Sequence, residues 1–159
     1  MSGFKKILAA VDFSDYSLPV MKQAAELARG FVSQLVIVNV INQRDVDAVR
    51  MIEPLQPGKI SVDSYIKAQK EDRETRLQTL LHQSGCEDLH RKVVFKVGVP
   101  FQQIIDTAKE EKADLVIMGP KGQTNLSGVL FGTTAEKVFR HCPVTLMSLR
   151  EASHSRKST

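Results

Sequence analysis

The stretch LVIMGPKGQTNLSGVLFGTT, residues 115–134, runs from a short apolar segment through a glycine-spaced loop into the start of a helical pattern. Leu115–Met118 has the composition of a strand buried on both faces. Beyond it, glycines at 119, 122, 128 and 132 let the backbone turn sharply and come close to a ligand. A helix that starts near Thr133 and carries Val138 and Phe139 aims its free amides and its positive dipole end outward. Anions, phosphates above all, suit that geometry, with Thr133 and Thr134 adding hydroxyl donors and Lys121 the loop's cation. A plainer role fits some of the same residues: the glycines make turns, and Thr133 caps its helix with Glu136 completing a capping box. Capping accounts for Thr133 but not for four glycines, and spacing alone leaves both readings open. The patterns GxxxxGK[ST] and GxGxxG are absent, so this is neither an ordinary P-loop NTPase nor a Rossmann dehydrogenase.

Working outward, four more runs read as buried strands: Lys6–Val11, Leu35–Val40, Lys92–Val97 and Val144–Leu149. Their apolarity is continuous rather than alternating, as in a parallel sheet covered on both faces. Helical patterns separate them. Val20, Ala24, Leu27, Ala28 and Phe31 form one apolar stripe, with Pro19 in the first turn and Gly30 near the stop. Residues 61–84 make a polar-faced helix ending at Gly85, and Pro100 opens another whose stripe is Phe101, Ile104, Ile105 and Ala108. Residues 41–60, with Pro54, Pro57 and Gly58, read as a long connection containing at most a helical turn. Repeated strand–helix alternation closed by a fifth strand predicts a three-layer α/β sandwich with a five-stranded parallel sheet, whose ligands bind beyond the carboxyl ends of the strands near the topological switch point. One domain spans residues 1–150, followed by a flexible polar tail, 151–159.

Bulk properties agree. A chain of 159 residues with 42% hydrophobic and 25% charged residues suits one folded domain. A net charge of +4, partly in the tail, is too mild to argue for nucleic acid. Cys86 and Cys142 show no metal-ligand spacing and read as thiols. The apolar run Ile7–Val11 is too short for a signal sequence and meets Asp12 at once, and no stretch approaches a membrane span; the expected location is the cytoplasm, where Asn125-Leu126-Ser127 has no route to glycosylation.

Gly119-x2-Gly122-x9-Gly132-Thr133 resembles the G-x2-G-x9-G-[S/T] pattern of the ATP-binding branch of the universal stress protein family. Lys6–Ser14, Val38-Asn39-Val40, Ala113–Gly119 and Cys142-Pro143-Val144 are similar to that family's landmarks along nearly the whole chain, in order. The resemblance implies an adenine-nucleotide α-hydrolase-like, Rossmann-like fold of strand order 3-2-1-4-5, binding ATP with Mg²⁺. It puts adenine between Ala10, Val11 and Asp12 on one side and Val40 on the other; Asp12 also reads as a helix-entry cap. It assigns Met118, Gly119, Lys121 and Gly122 to the ribose and α-phosphate, and Gly132, Thr133, Thr134 and Ala135 to the β- and γ-phosphates. Two departures stand out: Pro120 removes a backbone donor, and Lys121 stands where histidine or arginine is frequent. Ala10 also replaces a frequent proline or valine.

For hydrolysis, a placed base and dedicated metal ligands are wanted near the γ-phosphate, and the sequence offers no such set. His82, His90, His141 and His154 are not expected beside the phosphates, and His141 reads as a charge partner for a helix C-terminus. The expectation is a non-enzymatic binding and signalling module with an unidentified protein partner. One alternative, an ATP pyrophosphatase, needs an SGGxDS-type loop that residues 11–17, VDFSDYS, do not supply. Another is a nucleotide-free structural dimer. The resemblance also implies homodimerisation through the fifth strand, Val144–Leu149.

Overall fold

The computed structural model describes residues 3–122 and 131–150. Asn125-Leu126-Ser127, Gly128 and the tail 151–159 lie outside the described residues. Strands β1 (Lys6–Ala10), β2 (Gln34–Asn42), β3 (Arg91–Gly98), β4 (Leu115–Met118) and β5 (Thr145–Ser148) form one parallel sheet of order β3-β2-β1-β4-β5. Helices α1 (Ser17–Phe31), α2 (Gln43–Ile52), α3 (Val62–Ser84), α4 (Pro100–Glu110) and α5 (Thr133–His141) connect them.

Alternate residues of the central strands feed two separate cores. Ile7, Ala9, Leu35, Ile37, Leu115 and Ile117 pack with Val20, Met21 and Ala24 of α1 and Leu77, Leu80 and Leu81 of α3. Leu8, Val36, Val38, Val116 and Met118 meet Ile104 and Ala108 of α4 and Ala135 and Val138 of α5. Each fully buried Ile or Leu contributes about 1.5–3 kcal/mol, which is why strands apolar on both faces demand two helical layers. The connection from β1 leads to β2, whereas that from β3 passes to β4 on the other side of β1. The carboxyl ends of β1 and β4 therefore diverge at a switch point, where side chains of both layers cannot close over the sheet.

Three expectations change. Residues 43–52 form a helix, started by the Asn42 side chain accepting from the Arg44 amide at 3.0 Å and followed by a 3₁₀ turn, Glu53–Leu55. Its signal was weak because Val46 is its one buried residue, so no apolar stripe marks it. Helix α1 does not stop at Gly30. Its cap is Val32, left-handed at φ 54° and ψ 47°, an unfavourable conformation for a β-branched residue. The outer strands are also displaced at their ends: β3 runs from Arg91 to Gly98 and β5 is confined to Thr145–Ser148. Helix α3 follows its expectation, opening on Ser61, whose hydroxyl accepts from the Ser64 amide at 3.1 Å, and closing on left-handed Gly85. Among the described residues no helix is long and apolar enough to cross a membrane.

Candidate functional site

A cleft of about 520 Å³ opens at the carboxyl ends of β1, β2 and β4. All twelve residues singled out from the sequence line it: Ala10, Val11 and Asp12 after β1, Val40 in β2, Met118, Gly119, Lys121 and Gly122 after β4, and Gly132, Thr133, Thr134 and Ala135 at the start of α5. The register explains the opening. Ala10, the last residue of β1, pairs with Val38, while β2 continues to Asn42. Hydrogen bonds from the Gln34 amide to Lys5, from Val11 to the Val38 carbonyl and from Leu35 to His90 show even-numbered residues of β2 facing β1 and odd-numbered ones facing β3. By that alternation the N–H and C=O of Val40 point past the end of β1 into the cleft, a donor and an acceptor side by side on a rigid strand.

The two loops that frame the switch point touch at glycines. A Cβ on Gly119 would lie 2.7 Å from Cβ of Tyr16, and one on Gly122 would lie 2.7 Å from Oδ2 of Asp12. Gly132 donates its amide to the Pro120 carbonyl at 2.7 Å, and a Cβ there would meet Cα of Lys121 at 3.3 Å. These glycines are required by close approach rather than by left-handed backbone, since none of the three has a positive φ. The Asp12 carboxylate is folded back into its own loop: Oδ1 accepts from the Ser14 amide at 3.0 Å and from the Ser17 hydroxyl at 3.3 Å. It does not cap α1, whose N-cap is Tyr16. Nor does Thr133 cap α5. Gly132 is the N-cap, Thr133 is already helical, and the Glu136 carboxylate pairs with Arg140 at 2.8 Å instead of closing a capping box.

Charge favours an anion. Arg44, Arg73, Lys121 and Lys137 line the cleft against Asp12 and Asp45, an excess of two positive charges (four minus two). Helices α4 and α5 both begin at this cleft, on Val99-Pro100 and on Gly132-Thr133, and neither has a side-chain cap to occupy its first amides. Lys137 stands 5.0 Å above the Phe101 ring. His141 closes α5, its ring 6.3 Å from Phe101 and outside the cleft lining. Among the described residues no three His, Cys, Asp or Glu side chains come together as a metal site.

Sequence reasoning missed the Arg73 contact. The Arg73 Nη1 of α3 donates to Oδ1 of buried Asn39 at 2.8 Å and reaches the Val40 carbonyl at 3.4 Å, while Asn39 Nδ2 donates to the Val11 carbonyl at 2.7 Å. Burial pulls the Arg73 pKa down, against the opposing influence of Tyr65 and the repulsion of Arg76. A signal existed in Asn39 itself: an amide within the apolar run LVIVNVI must find polar partners when buried. The identity of the partner, 34 residues away, was not legible. The remaining unforeseen wall comes from Tyr16, Asn42, Val99, Pro100 and Ile104, which reach the cleft from α1, β2 and α4.

The sheet order and the switch-point cleft define an α/β domain of the Rossmann-like adenine-nucleotide α-hydrolase class. The chain belongs to the universal stress protein family, whose family model matches residues 3–150. It is 27% identical over 146 residues to universal stress protein MJ0531 of Methanocaldococcus jannaschii, covering 91% of this chain and 82% of that one. With universal stress protein Rv1636 of Mycobacterium tuberculosis it shares 28% identity over 149 residues, covering 92% and 97%. Among solved structures, MJ0577 superimposes with a TM-score of 0.79 at 20% identity, covering 96% of this chain and 99% of that one. A universal stress protein in complex with cAMP gives 0.62 at 17% identity (94% and 98% covered), and one from Archaeoglobus fulgidus in complex with dAMP gives 0.60 at 18% (94% and 100%).

Proposed function

We propose that this protein binds ATP in the switch-point cleft and works as a nucleotide-dependent signalling module of the stress response. The observation that carries the reading is the convergence, in one cleft, of the Val40 backbone pair, the three close-approach glycines and the uncapped start of α5. A donor beside an acceptor matches N1 and the N6 amine of adenine. Uncapped amides with Thr133, Thr134 and Lys121 suit phosphates. Complexes of two solved neighbours with cAMP and dAMP support an adenine nucleotide as the ligand class. Asp12 and Asp45 are the carboxylates on the cleft, so Mg²⁺ would be held chiefly by phosphate oxygens and water. The cleft lining contains no histidine and no carboxylate besides these two, which favours binding over turnover.

Occupancy is proposed to order the segment between Gly122 and Gly132 and alter a surface read by a partner protein in the cytoplasm. Two copies pair through β5, which is bonded to β4 on one side only. The test is to denature the purified protein, identify released nucleotide, and titrate ATP, ADP and AMP into wild type and Gly122→Val. ATP bound by wild type, lost in the variant and released without phosphate formation supports the module. No nucleotide in either protein refutes it, and steady phosphate release makes the protein an ATPase.

A further inference from the structure

Arg73 stands in a position that packing alone does not justify. It projects from the middle of α3 to the ends of β1 and β2, and its Nε is buried without a hydrogen-bond partner among the described residues. A half-buried guanidinium with an unsatisfied nitrogen is costly, and an apolar side chain of similar length would avoid that cost. What the arginine achieves is orientation. A guanidinium only donates and the Val11 carbonyl only accepts, so the Asn39 amide between them has a single satisfactory orientation. Through Asn39 it ties the last carbonyl beyond β1 to the extension of β2, and through its 3.4 Å contact it also bears on the Val40 carbonyl. Three residues further along α3, Arg76 lies 5.9 Å over the ring of Phe13, the left-handed residue of the β1–α1 loop. Helix α3 thus holds both walls between which a base would enter.

We propose that Arg73 is the positioning residue of the base subsite: it sets affinity for the base and ribose of the ligand, acting through Asn39 and Val40, and contributes nothing specific to its phosphates. This rests on the nucleotide reading above. Arg73 also lines the cleft, so the competing role is a direct contact to phosphate, and the two roles separate by ligand.

The experiment measures adenosine, AMP and ATP binding by calorimetry to wild type, Arg73→Met, Arg73→Lys, Asn39→Ala and the Arg73→Met/Asn39→Ala double variant. Loss of a charge-assisted hydrogen bond at the subsite corresponds to about tenfold in affinity. Arg73→Met should weaken all three ligands by that same factor, Arg73→Lys should recover part of it, and adding Arg73→Met to Asn39→Ala should cost little more. In the ligand-free protein, hydrogen exchange in residues 9–14 and 38–42 should quicken in Arg73→Met while α1 exchanges as in wild type. ATP weakened several-fold more than adenosine, additive losses in the double variant, or unchanged exchange would each overturn the positioning role while nucleotide binding stands. Wild type that binds none of the three ligands overturns the nucleotide reading and this inference together.

Discussion

Replacing Gly119 with alanine tests whether close approach, rather than backbone freedom, dictates the first glycine of the loop. The new Cβ would sit 2.7 Å from Cβ and 3.1 Å from Cγ of Tyr16. Carbon atoms rest at about 3.5–4.0 Å, so the overlap is about 1 Å. Tyr16 has little room to yield: it is buried, its amide donates to the Ser14 hydroxyl at 3.3 Å, and its carbonyl accepts from Val20 at 3.0 Å in the first turn of α1. Overpacking of this kind costs about 1–3 kcal/mol, and we take about 2. For a domain of this size that lowers the melting temperature by about 4–8 °C in scanning calorimetry. Tyr16→Gly removes both atoms that the methyl group would strike, so Gly119→Ala should cost markedly less in that background. A Gly119→Ala protein that melts with wild type, or one whose penalty is the same in both backgrounds, refutes the argument.

Val32 is 91% exposed and left-handed, so Val32→Gly should relieve strain without losing packing and raise stability by about 1 kcal/mol, seen as a higher denaturant midpoint at unchanged slope. Burial pushes the Cys86 thiol up, with a smaller opposing effect from the Ser84 hydrogen bond. At pH 8 a disulfide reagent should therefore modify half-buried Cys142 and spare Cys86, whose labelling should rise only at higher pH or on unfolding. On β5, the Leu149 amide donates to Met118, which places the Ser148 amide on the outer edge. Ser148→Pro should therefore convert a β5-paired dimer to monomer in light scattering while leaving the fold intact; an unchanged dimer mass would place the interface elsewhere.

Much of the site was legible because its chemistry is written locally. Residues 115–122 and 132–135 are nearly contiguous, and the turn from strand to helix carries its own signals: an apolar run, spaced glycines and a helix start. The role of each glycine was less legible. Nothing near Gly119 in the chain names Tyr16 as the side chain that excludes a Cβ, nor Asp12 as the neighbour of Gly122, because those contacts span more than a hundred residues. Thr133 and Glu136 have the spacing of a capping box, yet the turn placed the boundary one residue earlier and Glu136 found Arg140. Helix α2 escaped notice for the opposite reason, since a helix that buries one side chain leaves almost no periodic trace.

Sequence by itself determined the layered α/β class, because strands apolar on both faces can be satisfied only between two sheets of helices. It likewise determined that the segment after β4 is an anion-suited turn, a property of short-range spacing. Only the tertiary structure decided what surrounds that turn. Sheet order set β1 beside β4, the surplus length of β2 exposed the Val40 backbone, and the geometry of α3 delivered Arg73 to Asn39 across 34 residues. Contacts of that range depend on how whole elements pack, which no local pattern of residues encodes.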